Sequence, residues 1–263
     1  MVIKSYFDGG NSADSTLYDV VTLAAISGRI DQWKSFEDEW SGCLGSQGAR
    51  WLHTTDAVSL NKPFSRADGW DEHRRDSFIA ECVNVAERHI ARPLGEIVPP
   101  RDGLLPFTVT VVLDDFKRAR DVNPDVPKNA TEIMATQALN ACLEWGQSRG
   151  ADFWHLFFDQ NEPYCGHVSD RQRNPRALKQ VPLLKRIFIK PSPDMRRSPA
   201  LQLADMFAWC VSHKNKHRHE WHRDLINLKR LDRWLGYDDL VNPIPGVADL
   251  VEKWKLPRRR PTP

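Results

Sequence analysis

The run Pro199-Ala-Leu-Gln-Leu-Ala-Asp-Met-Phe-Ala-Trp-Cys-Val211 constrains this chain more than any other stretch. Ser198 before Pro199 is a helix start: serine accepts an orphan amide, and proline at the first helical position has no amide to orphan. Projected at about 100° per residue, the helix is apolar almost all round, so other layers must cover most of its sides. Its narrow polar sector holds Asp205 with Gln202, Ser212 and His213. An isolated carboxylate there is costly unless a cation or strong donors meet it. The fold must therefore bury this helix and answer one acid.

The layers that could do so are legible upstream. Residues 2–8 and 18–27 are β-branched and aromatic, and Gly9, Gly10, Asn11 and Ser12 between them predict two strands joined by a turn. Trp33, Phe36, Trp40 and Leu44 recur at helical spacing over 31–44, and a second helix is expected over about 70–90, stopped by Pro93, Pro99 and Pro100. A strand over 106–113 follows, then a helix from Asn129 to near Gly150, with Glu132 placed to complete a capping box. Phe153-Trp-His-Leu-Phe-Phe158 is nearly all apolar and predicts a strand covered on both faces. Further elements are expected at 174–184 (helix), 186–190 (strand), 221–235 (helix) and 246–254 (short helix). Strands first, then alternating helix and strand, indicate an α/β fold with one mixed sheet flanked by helices. The expected organisation is a single domain over 1–240, with a helical insertion at about 45–100, and a C-terminal extension over 241–263 ending in the basic tail Arg258–Pro263.

Composition narrows the functional classes. At 41% hydrophobic and 27% charged, a chain of 263 residues is ordinary for a globular protein, and a net charge of +2 provides no field that alone attracts nucleic acid. Five cysteines (43, 82, 142, 165 and 210) show no C-x-x-C spacing, which fits reduced thiols and a cytoplasmic location. No stretch approaches the roughly 20 apolar residues of a membrane span, and none near the start has the length of a signal peptide. Ten tryptophans are many, but Trp33, Trp40, Trp145, Trp209 and Trp234 all fall in stretches expected to be helical, where core packing explains them.

Three acids stand out. Asp8 and Asp159 each end a strongly apolar strand, where open α/β sheets present their ligand sites, and Asp205 sits on the buried helix. A strand-end Asp can equally start a turn, and Asp205 could pair with Arg196 or Arg197. Asp114 and Asp115 also follow a strand, but they open what reads as a solvated segment. A divalent ion shared by Asp8, Asp159 and Asp205 would answer all three, and oxygen ligands select Mg²⁺ or Mn²⁺ over zinc.

Tyr6-Phe7-Asp8-Gly9-Gly10-Asn11-Ser12, Leu52-His53, Phe157-Phe158-Asp159-Gln160 and Leu201-Gln202-Leu203-Ala204-Asp205, in that order, resemble the motifs of a widespread family catalogued as domain of unknown function 3800. The resemblance spans roughly residues 2–213 and implies an RNase H-like fold and a metal-dependent nuclease, often associated with mobile elements. It implies Asp8 as bridging ligand, flanked by Asp159 and Asp205, with His53 orienting water or assisting product release. The family usually has Glu directly after the first Asp and two residues before the His; here Gly9 and Trp51 stand there. Asp56 or Glu162 could substitute as ligands.

Nucleic acid, DNA or RNA, would need cations, and Arg171, Arg173, Arg176, Arg196, Arg197, Lys214, Lys216 and Arg218 surround the acids in sequence. A zinc site on His213, His217, His219 and His222 lacks a completing ligand set. Two rivals remain: a nucleic-acid-binding or assembly subunit without catalysis, and an actin-like or sugar-kinase-like ATPase using Asp8-Gly9-Gly10-Asn11-Ser12 as a phosphate loop.

Overall fold

A computed structural model describes residues 1–10, 19–91, 102–160, 162–213, 219–228 and 231–241. The order is β1 (Val2–Gly10), β2 (Val20–Arg29), α1 (Ile30–Ser46), α2 (Thr54–Val58), α3 (Glu72–His89), β3 (Leu105–Val112), α4 (Leu113–Val122), α5 (Ala130–Ser148), β4 (Phe153–Phe158), α6 (Tyr164–Arg173), α7 (Pro175–Gln180), β5 (Ile187–Ile189), α8 (Pro199–Ser212), α9 (Glu220–Asn227), β6 (Leu231–Leu235) and α10 (Tyr237–Val241). Six strands form one mixed sheet in the order β5-β4-β1-β2-β3-β6. β1, β2 and β3 are an antiparallel meander; β4 runs parallel to β1, β5 to β4 and β6 to β3.

The sheet separates two cores, as strand alternation requires. Ile3, Phe7, Leu23, Phe107, Trp154 and Phe158 face α4, α5 and α6, while Tyr6, Ala24 and Ile26 face α1, α3, α8 and α9. Every residue of α8 from Ala200 to Ser212 is buried, as its all-round apolar sequence demands. Ser198 Oγ caps it, accepting from the Leu201 amide at 3.4 Å. The heptad-like spacing in α1 is also realised: Trp33, Phe36, Trp40 and Leu44 are its buried residues. The segment expected as an insertion contributes α2 and α3 to the same layer as α1 and α8, sharing their core.

Several expectations need correction. The first strand continues through Gly9 and Gly10, which pair with Leu23 and Thr22, so these glycines are not in the turn. The stretch 221–235 splits: α9 stops at Asn227, and 231–235 is an edge strand beside β3, which takes Trp234 out of any helix. The strand was hidden because Trp221, Leu225, Leu228 and Leu235 recur at spacings that suit a helical period. Asp114 and Asp115 lie in the first turn of α4, where acids suit the positive end of the helix dipole. The helix expected at 174–184 is α7 followed by a 3-10 turn over Pro182–Arg186, and α6 precedes it. Asn129 caps α5 by backbone only, without the side-chain box. In β4 only Trp154, Leu156 and Phe158 are buried; Phe153 is exposed and His155 and Phe157 are half-buried, so one face of this strand is open. The expected helix at 246–254, the tail at 258–260, Asn11, Ser12, Lys214, Lys216, His217 and Arg218 lie outside the described residues. Among the described residues, no helix is long and apolar enough to cross a membrane.

Candidate functional site

The parallel pairing of β1 with β4 brings two of the acids together. Phe7 aligns with Phe158, and the Asp159 amide donates to Phe7 O at 3.0 Å, so Asp159, just past the end of β4, stands beside Asp8, which does not end β1 as expected but pairs with Ala24 two residues before that end. Tyr6 and Phe157, two residues earlier, stack at 4.6 Å on the α8 side of the sheet, and by alternation the two aspartates belong to that side. α8 crosses β1 and β2 here at close range. A Cβ at position 10 would stand 2.7 Å from Ala208 O, so only glycine lets the helix backbone approach. Asp8, Asp159, Asp205, Glu162 and His53 consequently line one cleft of about 230 Å³.

The polar stripe of α8 does more than carry an acid. Gln202 Oε1 accepts from Trp40 Nε1 at 2.9 Å and from the Leu52 amide at 3.0 Å, and its Nε2 donates to Met195 O at 3.0 Å. Asp205 Oδ2 accepts from the Thr54 amide at 2.6 Å. Gln202 and Asp205, one helical turn apart, thus hold the main chain on both sides of His53 and present that ring to the cleft. His53 Nδ1 lies 2.8 Å from Asp56 Oδ2, which fixes the ring from behind. Asp56 therefore acts through His53 and is not among the residues lining the cleft. The clamp role of Gln202 could not be read from the sequence, where its partners stand 150 and 162 positions away.

The electrostatics are those of crowded acids. Burial, then the charges of Asp205, Asp159 and Glu162, push the Asp8 carboxyl well above the usual carboxylate range, against one bond from the Gly9 amide at 3.0 Å. Burial also raises Asp159, opposed by the Gln160 amide and reinforced by Asp205. Burial raises Asp205, with His53 and the Thr54 amide opposing. His53 is raised in turn: burial works against its charged form, but Asp205 and the Asp56 bond outweigh it. Tyr164, behind Glu162, is driven far up by burial and by the nearby acids.

Glu162 occupies the space that a side chain at position 9 would need. A Cβ on Gly9 would stand 2.9 Å from both of its carboxylate oxygens. Trp51 has the Arg196 guanidinium 5.3 Å above its ring. Among the described residues, no group of three or more His, Cys, Asp and Glu side chains is arranged to hold a metal ion. The acids share the cleft without forming a finished coordination sphere.

The cations expected around the acids are scattered. Arg171 is half-buried on α6, Arg173 lies 4.0 Å from Asp170, and Arg196 and Arg197 are exposed before α8; none of the four lines the cleft. The sequence reading missed part of the cleft wall, where Trp209 and His213 stack at 4.4 Å. Trp209 read as core, and its membership of the wall depends on which side of α8 meets the sheet. Comparison with family models, with curated proteins and with solved structures returned no match.

Proposed function

We propose that this chain is a Mg²⁺ or Mn²⁺ dependent nuclease that hydrolyses phosphodiester bonds of DNA or RNA, on an RNase H-like sheet. The observation that carries the reading is the gathering of Asp8, Asp159, Asp205 and Glu162 in one cleft, where burial and mutual repulsion hold Asp8 far up. No folding purpose is served by collecting like charges in a poorly solvated corner, since each would be more stable apart. The donors are all hard oxygens, which fits Mg²⁺ or Mn²⁺ and disfavours zinc. Asp8, Asp159 and Asp205 would hold the ion, and Glu162, standing over Gly9, would supply the acid that the family carries at position 9. The bound ion would lower the pKa of water and neutralise charge on the phosphodiester. The protein's own part is positional: the Gln202 and Asp205 clamp holds His53 at the cleft, where the ring can bear a proton for the departing oxygen. The meander β1-β2-β3 with β4 and β5 parallel to β1 supports the RNase H-like reading.

The test is cleavage of single-stranded and duplex DNA and RNA in Mn²⁺, with calorimetric titration of Mn²⁺. Metal binding and cleavage that both vanish in Asp8→Asn and Asp205→Asn are expected; cleavage surviving both substitutions would overturn the assignment. A second reading, a nucleic-acid-binding subunit without catalysis, is favoured by Gly9 and Trp51, where the family keeps acids, and predicts binding without cleavage in every metal. The phosphate-loop alternative predicts nucleotide binding without nuclease activity, read by calorimetry.

A further inference from the structure

The open face of β4 and β5 has the composition of a buried one. Phe153 and Phe188 are each 45% exposed, and their rings lie 5.8 Å apart. His155 sits edge-on to Phe188 at 5.8 Å, and Lys190 Nζ lies 5.5 Å over the same ring. Lys4 of β1 pairs in register with His155 on this face, and burial, then Lys190 and Lys4, hold His155 below the usual histidine range. The core of α1, α3, α8 and α9 takes in Tyr6 of β1 and partly Phe157, but not Phe153, His155 or Phe188. On the opposite face, Trp154, Leu156 and Phe158 are fully covered.

Strand alternation then gives these residues a direction. Phe153, His155, Phe157 and Asp159 follow one another on the same face, at steps of about 6.6 Å. Phe188 stands beside His155 and Tyr6 beside Phe157. The row ends at Asp159 and Asp8, in the acidic cleft.

We propose that this face is a stacking platform for single-stranded nucleic acid, which lays its bases on Phe153, Phe188 and His155 and its phosphates beside Lys4 and Lys190, and leads the strand into the cleft. The inference rests on the nucleic-acid reading above but not on cleavage. A duplex hides its base faces in its own stack, so the platform selects unpaired strands. Lys190, with Lys4 shared with the nearby Glu37, supplies the charge match that distinguishes this occupant from a second apolar sheet.

The experiment is fluorescence anisotropy with a labelled twelve-nucleotide oligothymidine and with a twelve-base-pair duplex, in Ca²⁺ with Asp8→Asn protein so that nothing is cut. The single strand is expected to bind at least tenfold more tightly than the duplex. Phe153→Ala with Phe188→Ala, both at exposed positions, should weaken single-strand binding by about a hundredfold, whereas Phe→Tyr at both sites should retain it. Single-strand binding unchanged by the double alanine substitution would overturn the platform while leaving the nuclease reading intact. No binding of either oligonucleotide would overturn both. If sedimentation shows a dimer that the double substitution converts to monomer, the face belongs to a second copy of this chain and the proposal falls.

Discussion

Two buried polar clusters, one on each face of the central sheet, are settled in opposite ways. Toward α5, Ser5 and Ser27 hydroxyls bond each other at 2.6 Å, and Ser27 reaches Cys142 Sγ at 3.4 Å. These are neutral groups that satisfy one another, and they cost little. Toward α8, Asp8 and Asp205 are buried at the same depth with acids for neighbours, and burial and repulsion raise both carboxyls or are only partly offset. The serine cluster is arranged for stability and the acid cluster retains a strain that stability would remove. The contrast marks the acid cluster as a place where this chain departs from what folding alone would select.

The comparison can be broken most decisively at the acids. Asp205→Ala or Asp8→Ala is expected to lower Mn²⁺-dependent cleavage on the order of a thousandfold, measured as initial rates on a fixed substrate. A comparable loss from Ser27→Ala would erase the distinction between the faces. Next in size is Gln202→Ala, which strands the Trp40 indole N–H and the Leu52 amide; a loss of about 2–4 kcal/mol is expected in urea unfolding. A loss below about 1 kcal/mol would show that the clamp is dispensable.

Asp8→Asn should move stability the other way. A carboxyl raised in the folded state makes the protein most stable where it is protonated, and that advantage drains as pH climbs from the unfolded carboxylate value toward the folded one. In chelator, the variant should therefore melt at the same temperature as the wild type in acid and several degrees higher near neutrality, with Mg²⁺ closing the gap by stabilising the wild type alone. A gap that narrows with rising pH would contradict the repulsion. Smallest of all, Ser27→Ala should cost about 1 kcal/mol or less at every pH, since the serine pair carries no charge.

Much of the scaffold was legible because it obeys periodicity. The α1 spacing, the Ser198-Pro199 start and the apolar girth of α8 each state a local rule that the structure keeps. Asp8, Asp159 and Asp205 were legible for a related reason: two follow strongly apolar strand runs, although β1 continues two residues past Asp8, and the third sits on a helix with no tolerance for charge. What escaped depends on partners remote in sequence. The edge strand β6 exists because β3 offers a free ladder, which no pattern within 231–235 announces. The openness of β4 was misread because Phe153, His155 and Phe157 look like core until it is known how far the helical layer extends. That Glu162 fits against Gly9 was not legible, because the fit is a matter of the register between β1 and β4.

The clamp from α8 to the segment around His53 also sets an order of assembly. Residues 2–8 and 52–54 leave the ribosome long before 199–212, yet neither Asp8 nor His53 has its cleft until the late helix slots between the meander and α1. Contacts spanning some 150 residues are slow to close, so the nascent chain holds its acids apart and solvated through most of synthesis. A fragment cut short before Pro199 would lack the helix that packs on β1 and β2 and would have no complete acid set, which makes it a substrate for proteolysis.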